Sequence, residues 1–283
     1  MLVTLNPVLR AAQHHKFAVG AFNVYNLESV EAVISAAEEM HAPVVVQTSE
    51  KAITYAGMSE LAAIVLTRAK ASFVPVVFHV DHGRTHRVLY DAIEAGYSSI
   101  MFDGSHLPYE ENVRWTKEMV DRAHRKGISV EAELGRVGGV EDDISAEEGL
   151  TDPGMAVEFI RATHCDALAV GIGNNHGKPK PGEKLHLDQL EHIAAAVSLP
   201  LVLHGASGTP EDDIRQAIAL GITKINIDTD LRIAFSEAER EVLASDPKLY
   251  DPRSILAPGT EAMREVVKQK IALFGGHLKA KYC

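Results

Sequence analysis

VPVVFHVDHGRTHRVLYDAIEAGYSSIMFDG, residues 74–104, holds the pattern that decides the fold. Its first part, VPVVFHVDH (74–82), is a nearly continuous apolar run, as expected of a strand buried on both faces. HRVLYDAIEAG (86–96) then places apolar residues at helical spacing and closes on Gly96, a residue suited to a helix terminus. SSIMFDG (98–104) returns to an apolar run, so the stretch reads strand, helix, strand. Working outward, the same unit recurs. Strand-like runs are FAVGAFNV (17–24), APVVVQTS (42–49), VPVVFHVDH, SSIMFDG, ISVEAELG (128–135), DALAVGIG (166–173), LPLVLHG (199–205) and ITKINIDT (222–229). Helix-patterned segments such as NLESVEAVISAAEEM, YEENVRWTKEMVDRAHRKG and DPGMAVEFIRATH lie between them. Asp152-Pro153 and Thr209-Pro210 are opening signals, and Gly127 and Gly221 closing ones. Eight such units predict a closed parallel (β/α)8 TIM barrel, one domain over residues 1–283 with a C-terminal helical segment. An open doubly wound sheet fits less well, because the repeats are regular and no break in composition divides them.

The balance of 28 basic against 39 acidic residues, net charge −11, argues against a nucleic-acid or anionic-membrane surface. An anionic substrate must therefore be held by a few placed groups. Cys165 and Cys283 form no Cys-x-x-Cys pair, and the opening MLVTLNPVLRAAQHHKFAVG is interrupted by Asn6, Pro7, Arg10 and His14. Both features point to a cytoplasmic protein without a signal peptide or membrane span. Two connections are longer than the rest, GRVGGVEDDISAEEGLTD and GNNHGKPKPGEKLH, and long glycine-bearing loops on a barrel are usually lids or binding loops.

Barrels of this kind gather their chemistry at the carboxyl ends of the strands. Those ends carry Asn23, Ser49, Asp81 and His82, Asp103, Glu131 and Glu133, Asn174 to Gly177, His204 and Gly205, and Asn226 with Asp228. Any one of them alone reads as a turn or cap residue, but the whole ring does not. His82, His176 and His204 come from three separate strands. Converging imidazoles of that kind make a catalytic zinc site with a position left open for water or substrate. His79 shares the face of Asp81 and reads as a core or supporting histidine. Asp81, next to His82, faces the opposite way along a regular strand, yet a turn at the strand's end brings it beside a substrate as acid or base. HGASG and NIDTD each precede a helix, and their backbone N–H groups suit a phosphate at the last two strand–helix turns.

HVDHG, SIMFDGSHLPYEENV, SVEAELGRVGGVEDD, HGASG and KINIDTDLRIAF together resemble the zinc-dependent class II fructose-1,6-bisphosphate aldolases, in the branch shared with tagatose-bisphosphate aldolases. The resemblance runs from VGAFNVYNLE to AMREVVKQKI. It implies a (β/α)8 barrel, usually a homodimer or homotetramer, that cleaves or forms the bond between dihydroxyacetone phosphate and an aldehyde phosphate. It puts one Zn2+ on His82, His176 and His204, and gives Asp103 and Glu133 to an alternative, inward metal position. It makes Asp81 the group that exchanges a proton with the C4 hydroxyl, and Glu141 the base at C1 of dihydroxyacetone phosphate. Gly177, the segment Gly205, Ala206, Ser207, and the segment Asn226, Ile227, Asp228, Thr229 become the cradle for the triose phosphate and a monovalent cation, Na+ or K+. Asn23 and Ser49 line the mouth. Arg232 and Arg253 face the distal phosphate, the second from a neighbouring subunit. The chain departs from the family pattern at Asn175, at Lys178-Pro179 and in the tail FGGHLKAKYC.

Three other readings are weaker. A zinc hydrolase on a barrel carries a His-x-His pair at the end of strand one, and GAFNVYN has no histidine. A Schiff-base aldolase needs a lysine toward the carboxyl end of a strand, and Lys224 begins the eighth strand, at the wrong end. A non-catalytic phosphate-ligand-binding protein leaves the complete set of proton-transfer and ligand residues unexplained. Within the family the alternatives are tagatose-1,6-bisphosphate and 2-deoxy-5-keto-gluconate 6-phosphate, and Arg232 in DTDLR leans toward fructose.

Overall fold

The computed structural model describes residues 1–141, 144–146, 149–177 and 184–283, with the side chains of 140, 141 and 144–146 outside that description. Strands are β1 (Val19–Asn23), β2 (Val44–Ser49), β3 (Val76–Gly83), β4 (Ser99–Phe102), β5 (Ser129–Leu134), β6 (Gly138–Glu141), β7 (Ile144–Ala146), β8 (Ala167–Val170), β9 (Asn175–His176), β10 (Leu201–Leu203) and β11 (Ile222–Ile227). Helices are α1 (Leu5–His15), α2 (Leu27–Glu39), α3 (Glu50–Ala56), α4 (Met58–Ala71), α5 (His86–Ala95), α6 (Tyr109–His124), α7 (Pro153–Thr163), α8 (Leu187–Ala196), α9 (Glu211–Leu220), α10 (Thr229–Ser245) and α11 (Pro252–Leu273). The strands close as β1-β11-β10-β8-β5-β4-β3-β2, all parallel, so the predicted (β/α)8 barrel is the fold. Observed strands are shorter than the apolar runs. Asp228 and Thr229, read as the end of the eighth strand, instead begin α10. No helix among the described residues is long and apolar enough to cross a membrane.

Local chemistry sets the helix starts that shape the mouth. Ser49 ends β2 and caps α3 by accepting from Ala52 N. Asn26 and Ser29 form a reciprocal capping box at α2, and Asp152 with Pro153 opens α7 as read from the sequence. Thr209-Pro210 differs: the position before α9 belongs to Pro210, and no side chain caps the helix there. α1 was not anticipated. Its Leu5, Val8, Leu9 and Ala12 recur at helical spacing and are all buried, closing the amino end of the barrel against Val19, Val45, Val77, Met101 and Val202. A second apolar layer, including Phe22, Val46, Phe78, Ile225 and Ile227, fills the space between barrel and helices.

Two irregularities position the site. Between β3 and β4, Val80 pairs with Ile100 but Gly83 with Phe102, so β3 carries one extra residue. His82 absorbs it with a left-handed φ of 48°, a conformation that costs an ordinary residue roughly 1–2 kcal/mol. The bulge turns neighbouring Asp81 and His82 toward the same mouth, which a regular strand forbids. The two long loops meet as a small sheet, β7-β6-β9, with Gly138 opposite Asn175 and Gly139 opposite His176. A Cβ on Gly139 would run into the His176 backbone, and one on Gly205 would lie 2.5 Å from Asn175 O. Both glycines let the segment bearing His176 close over the barrel.

Candidate active site

The structure brings together His82 at the end of β3, His176 on β9 and His204 after β10: a ligand nitrogen from each lies within 4.8 Å of the others. His204 Nδ1 is 2.7 Å from His82 Nε2. The far nitrogen of each ring is spoken for, and that decides what these two facing atoms are. Nε2 of His204 donates to Glu131 Oε1 at 2.8 Å, and Nδ1 of His82 donates to Asp103 Oδ2 at 3.0 Å. Carboxylates accept only, so each outer nitrogen carries its proton there, and the contact between the two inner nitrogens is a hydrogen bond when one of them holds a further proton. Burial, with the neighbouring His82, holds His176 and His204 well below the usual histidine range, which keeps them neutral. A metal ion can take the place of that proton, since His82, His176 and His204 each turn a nitrogen to one point. The donor set therefore fits a divalent ion of the borderline kind that takes imidazole nitrogen.

Asp103 is anchored as well as anchoring. It accepts from Arg84 Nε at 2.9 Å and from Ser105 Oγ at 2.7 Å. Burial raises its pKa, but the His82 hydrogen bond and the charges of His82 and Arg84 outweigh it and hold the carboxyl well below the usual range. Glu133 behaves oppositely. Burial and then the Asp103 charge push it up to about 8, and its Oε2 is buried with no hydrogen-bond partner among the described residues. His82, Asp103 and Glu133 form a second group with donor atoms within 4.8 Å of one another.

Asp81 is fully buried between two amides: Asn23 Nδ2 donates to one oxygen at 2.8 Å and Asn226 Nδ2 to the other at 3.0 Å. Burial alone would raise its pKa; His82, His204, Lys224 and the Asn23 amide outweigh burial and lower it. Asp81 is thus an ionised acceptor, 4.0 Å from His82 Nε2. Asn23 and Asn226, read from the sequence as mouth and phosphate-cradle residues, here serve Asp81. Their orientation is set from below, by Gln47 Nε2 on Asn23 Oδ1 and Lys224 Nζ on Asn226 Oδ1, each 2.7 Å away. His79 is a core histidine as expected, with Nδ1 2.8 Å from Ser99 Oγ.

The remaining positions fall around this centre. Ser49 is spent on the α3 cap. Gly205 and Ser207 line a small cavity with Gly173, Asn174 and Asn175, and Gly177 has a φ of 92° at the end of β9. Ala206 is buried, and Ile227 sends its side chain into the outer apolar layer. Asp228 pairs with Arg232 at 2.7 Å, with Thr229 opening α10. Arg232 also borders a cleft of about 500 Å³ with Tyr25, Lys51, Tyr55 and Phe235. Arg253 is not among that cleft's lining residues; it is exposed at the start of α11, 2.9 Å from Asp251. Glu141 ends β6, but its side chain lies outside the described residues, as do Lys178 and Pro179.

The family profile "Fructose-bisphosphate aldolase class-II" matches residues 3–279. The chain belongs to the class-II fructose-bisphosphate aldolase family. It is 43% identical over 283 residues to a fructose-bisphosphate aldolase of Geobacillus stearothermophilus, covering 99% of each chain. One from Thermus caldophilus is also 43% identical, over 97% of this chain and 98% of that one. Among solved structures, the YdjI aldolase of Escherichia coli K12 superposes with a TM-score of 0.86 at 36% identity, covering 98% of both chains. As a class-II aldolase the protein is a carbon–carbon lyase that works on sugar phosphates with a divalent metal.

One residue of this aldolase was misjudged from sequence. Lys224 is not stranded at the wrong end of the barrel: its stem carries the ammonium up to Asn226 Oδ1 and to Glu131 Oε2, 3.0 Å away. Because Glu131 Oε2 has no directed hydrogen bond, the second contact is charge against charge. The signal was the lysine itself, inward-facing with Asn226 two residues on in ITKINI. Paired as it is with Glu131, it gives no support to a Schiff-base route.

Proposed function

We propose that this chain reversibly cleaves fructose 1,6-bisphosphate between C3 and C4 to dihydroxyacetone phosphate and glyceraldehyde 3-phosphate, with one zinc ion held by His82, His176 and His204. The observation that supports it most is the convergence of His82, His176 and His204, a ligand nitrogen of each within 4.8 Å of the others, with ionised Asp81 beside them. A bound zinc ion supplies a Lewis acid that polarises the ketose carbonyl and offsets the charge left on the triose half. The chain's own groups handle protons. Asp81 takes the proton of the C4 hydroxyl as that oxygen becomes the aldehyde carbonyl and the C3–C4 electron pair stays with C3. In condensation it returns the proton. Its two amide donors fix the oxygen that faces the hydroxyl and keep the carboxylate ionised. Glu141 delivers the proton to C1 of dihydroxyacetone phosphate, the hydroxymethyl carbon that was C3 of the ketose, and removes it in the reverse direction.

The two ends of the bisphosphate need different holders. Backbone N–H groups of Gly177, of Gly205 to Ser207 and of Asn226 to Thr229 take the triose phosphate, with Na+ or K+ beside it. Arg232 takes the distal phosphate from the cleft it borders with Tyr25 and Lys51. Arg253, exposed in a single chain, reaches a neighbour's site in a homodimer or homotetramer. Asp103 and Glu133 offer the metal an inward position with His82, which a Glu133 oxygen without a hydrogen bond favours. Both cysteines are free, in keeping with the cytoplasm. The test is kcat/KM of the purified chain on fructose, tagatose and 2-deoxy-5-keto-gluconate phosphates. Fructose 1,6-bisphosphate is expected to be cleaved best; faster cleavage of tagatose 1,6-bisphosphate would assign the other C4 configuration.

A further inference from the structure

Beneath the mouth lies a buried ion pair that the proton-transfer chemistry leaves unused. Lys224 and Glu131 are both 0% exposed, and their charges meet at 3.0 Å inside the barrel. A buried pair is a poor device for stability alone. Removing each ion from water costs several kcal/mol, and apolar replacements of similar volume are often neutral or stabilising. What singles this pair out is where its other atoms go. Glu131 Oε1 accepts from His204 Nε2 at 2.8 Å, so the carboxylate fixes the tautomer that leaves Nδ1 open toward the histidine cluster. Lys224 Nζ donates to Asn226 Oδ1 at 2.7 Å, so the amide must present its NH2 to Asp81 Oδ1, 3.0 Å away.

We infer that Lys224 is a positioning residue whose single ammonium sets both halves of the active site, the metal ligand His204 through Glu131 and the proton-transfer group Asp81 through Asn226. The inference rests on the aldolase reading for what His204 and Asp81 do. A lysine suits the task. It has three donors and no acceptor, and its flexible stem spans from β11 to the layer above. With an apolar side chain at 224, the Asn226 amide is free to turn its oxygen toward Asp81, and the Glu131 carboxylate loses the charge that holds its rotamer beneath His204. Gln47 plays the matching part for Asn23 on the other side of Asp81, but it touches no ligand histidine. Lys224 joins the two arms from beneath, through Glu131 and Asn226.

The test uses the full chain and zinc alone as the probe. Apo-protein of wild type, Lys224→Met and Glu131→Gln is titrated with zinc against a chromogenic chelator. Both variants should bind zinc about 10–100-fold more weakly, the size expected when a ligand's hydrogen-bond acceptor is disturbed. At saturating zinc the two variants should then part. Glu131→Gln should recover both C1 proton exchange and cleavage. Lys224→Met should recover exchange but stay deficient in cleavage, because the Asn226 arm to Asp81 is broken. A merely structural role lowers both reactions together and separates neither. If Lys224→Met does not fold, Glu131→Gln decides the ligand arm, and Asn226→Ala at saturating zinc decides the other by the same exchange-against-cleavage split. Wild-type zinc affinity in both variants, or full recovery of cleavage by Lys224→Met, would overturn the inference while leaving the metal site standing. A wild-type chain that binds no zinc would overturn the metal reading itself, and the inference with it.

Discussion

The inside of the barrel is two different materials. Its amino half is filled by Val19, Val45, Val77, Met101, Ala167, Ala169 and Val202 over the α1 plug. Its carboxyl half, a step further along the same strands, holds Asn23, Gln47, His79, Asp81, Glu131, His204, Lys224 and Asn226, every one buried. On β3 the change happens between Val77 and His79, and on β2 between Val45 and Gln47, two residues apart on one face. The lower half gains free energy from every side chain removed from water. The upper half must hydrogen-bond or pair the groups it buries, and leaves Gln47 Oε1, His79 Nε2, Glu131 Oε2 and Glu133 Oε2 without hydrogen-bond partners among the described residues. Stability and chemistry are thus separated along the strand axis, and substitutions in the two halves should fail in different ways.

The sharpest contrast sets Asp81 against Leu9. Asp81→Ala should reduce cleavage by about 10²–10⁴-fold, the usual contribution of a general acid–base group, while exchange of the C1 proton of dihydroxyacetone phosphate continues. Glu141→Ala should remove the exchange. Equal loss of both reactions in both variants would erase the division of labour. Leu9→Ala, in the fully buried plug, should cost about 2–5 kcal/mol in denaturant unfolding with kcat unchanged at a temperature where the protein is folded. A large fall in kcat without a fall in stability would break the comparison.

Smaller effects test the seam between the halves. Asn23→Ala removes one of the two amides on Asp81. A hydrogen bond to a charged group is worth about 1.5–3 kcal/mol, so kcat/KM for cleavage should fall by roughly tenfold to a hundredfold, with zinc affinity untouched. At the rim, Arg232→Ala should raise KM for fructose 1,6-bisphosphate yet leave exchange of the isolated triose phosphate alone. Its ion pair with Asp228 is half exposed, so stability should change by less than about 1 kcal/mol. An unchanged KM would remove Arg232 from the distal phosphate.

The barrel was legible because strands buried on both faces read as apolar runs, and the three histidines because they close separate runs. What stayed hidden follows physical rules that a linear reading cannot apply. Asp81 and His82 are adjacent, so alternation assigns them opposite faces; the extra residue in β3 and the left-handed His82 undo that assignment. The sheet formed by β6, β7 and β9 is glycine-bearing and short, with no apolar periodicity to announce it. Lys224 was judged by the position of its Cα, whereas its function lies at the end of a four-carbon stem. α1 hid behind Asn6 and Pro7, although Leu5, Val8, Leu9 and Ala12 keep helical spacing. The polarity of Asn23 and Asn226 was visible in the sequence, but the hydrogen bonds both side chains give to Asp81, on another strand, were not.

The central claim is that the carboxyl half of the barrel works through a divalent ion at His82, His176 and His204, and one measurement addresses it directly. Cleavage of fructose 1,6-bisphosphate is followed in chelator-stripped protein, after zinc is added back, and in the presence of borohydride. Three converging imidazoles, with no lysine among the described residues placed to form a Schiff base, predict activity abolished by stripping, restored by zinc or cobalt, and insensitive to borohydride. Full activity in metal-free protein, or covalent trapping of substrate by borohydride, would contradict the account.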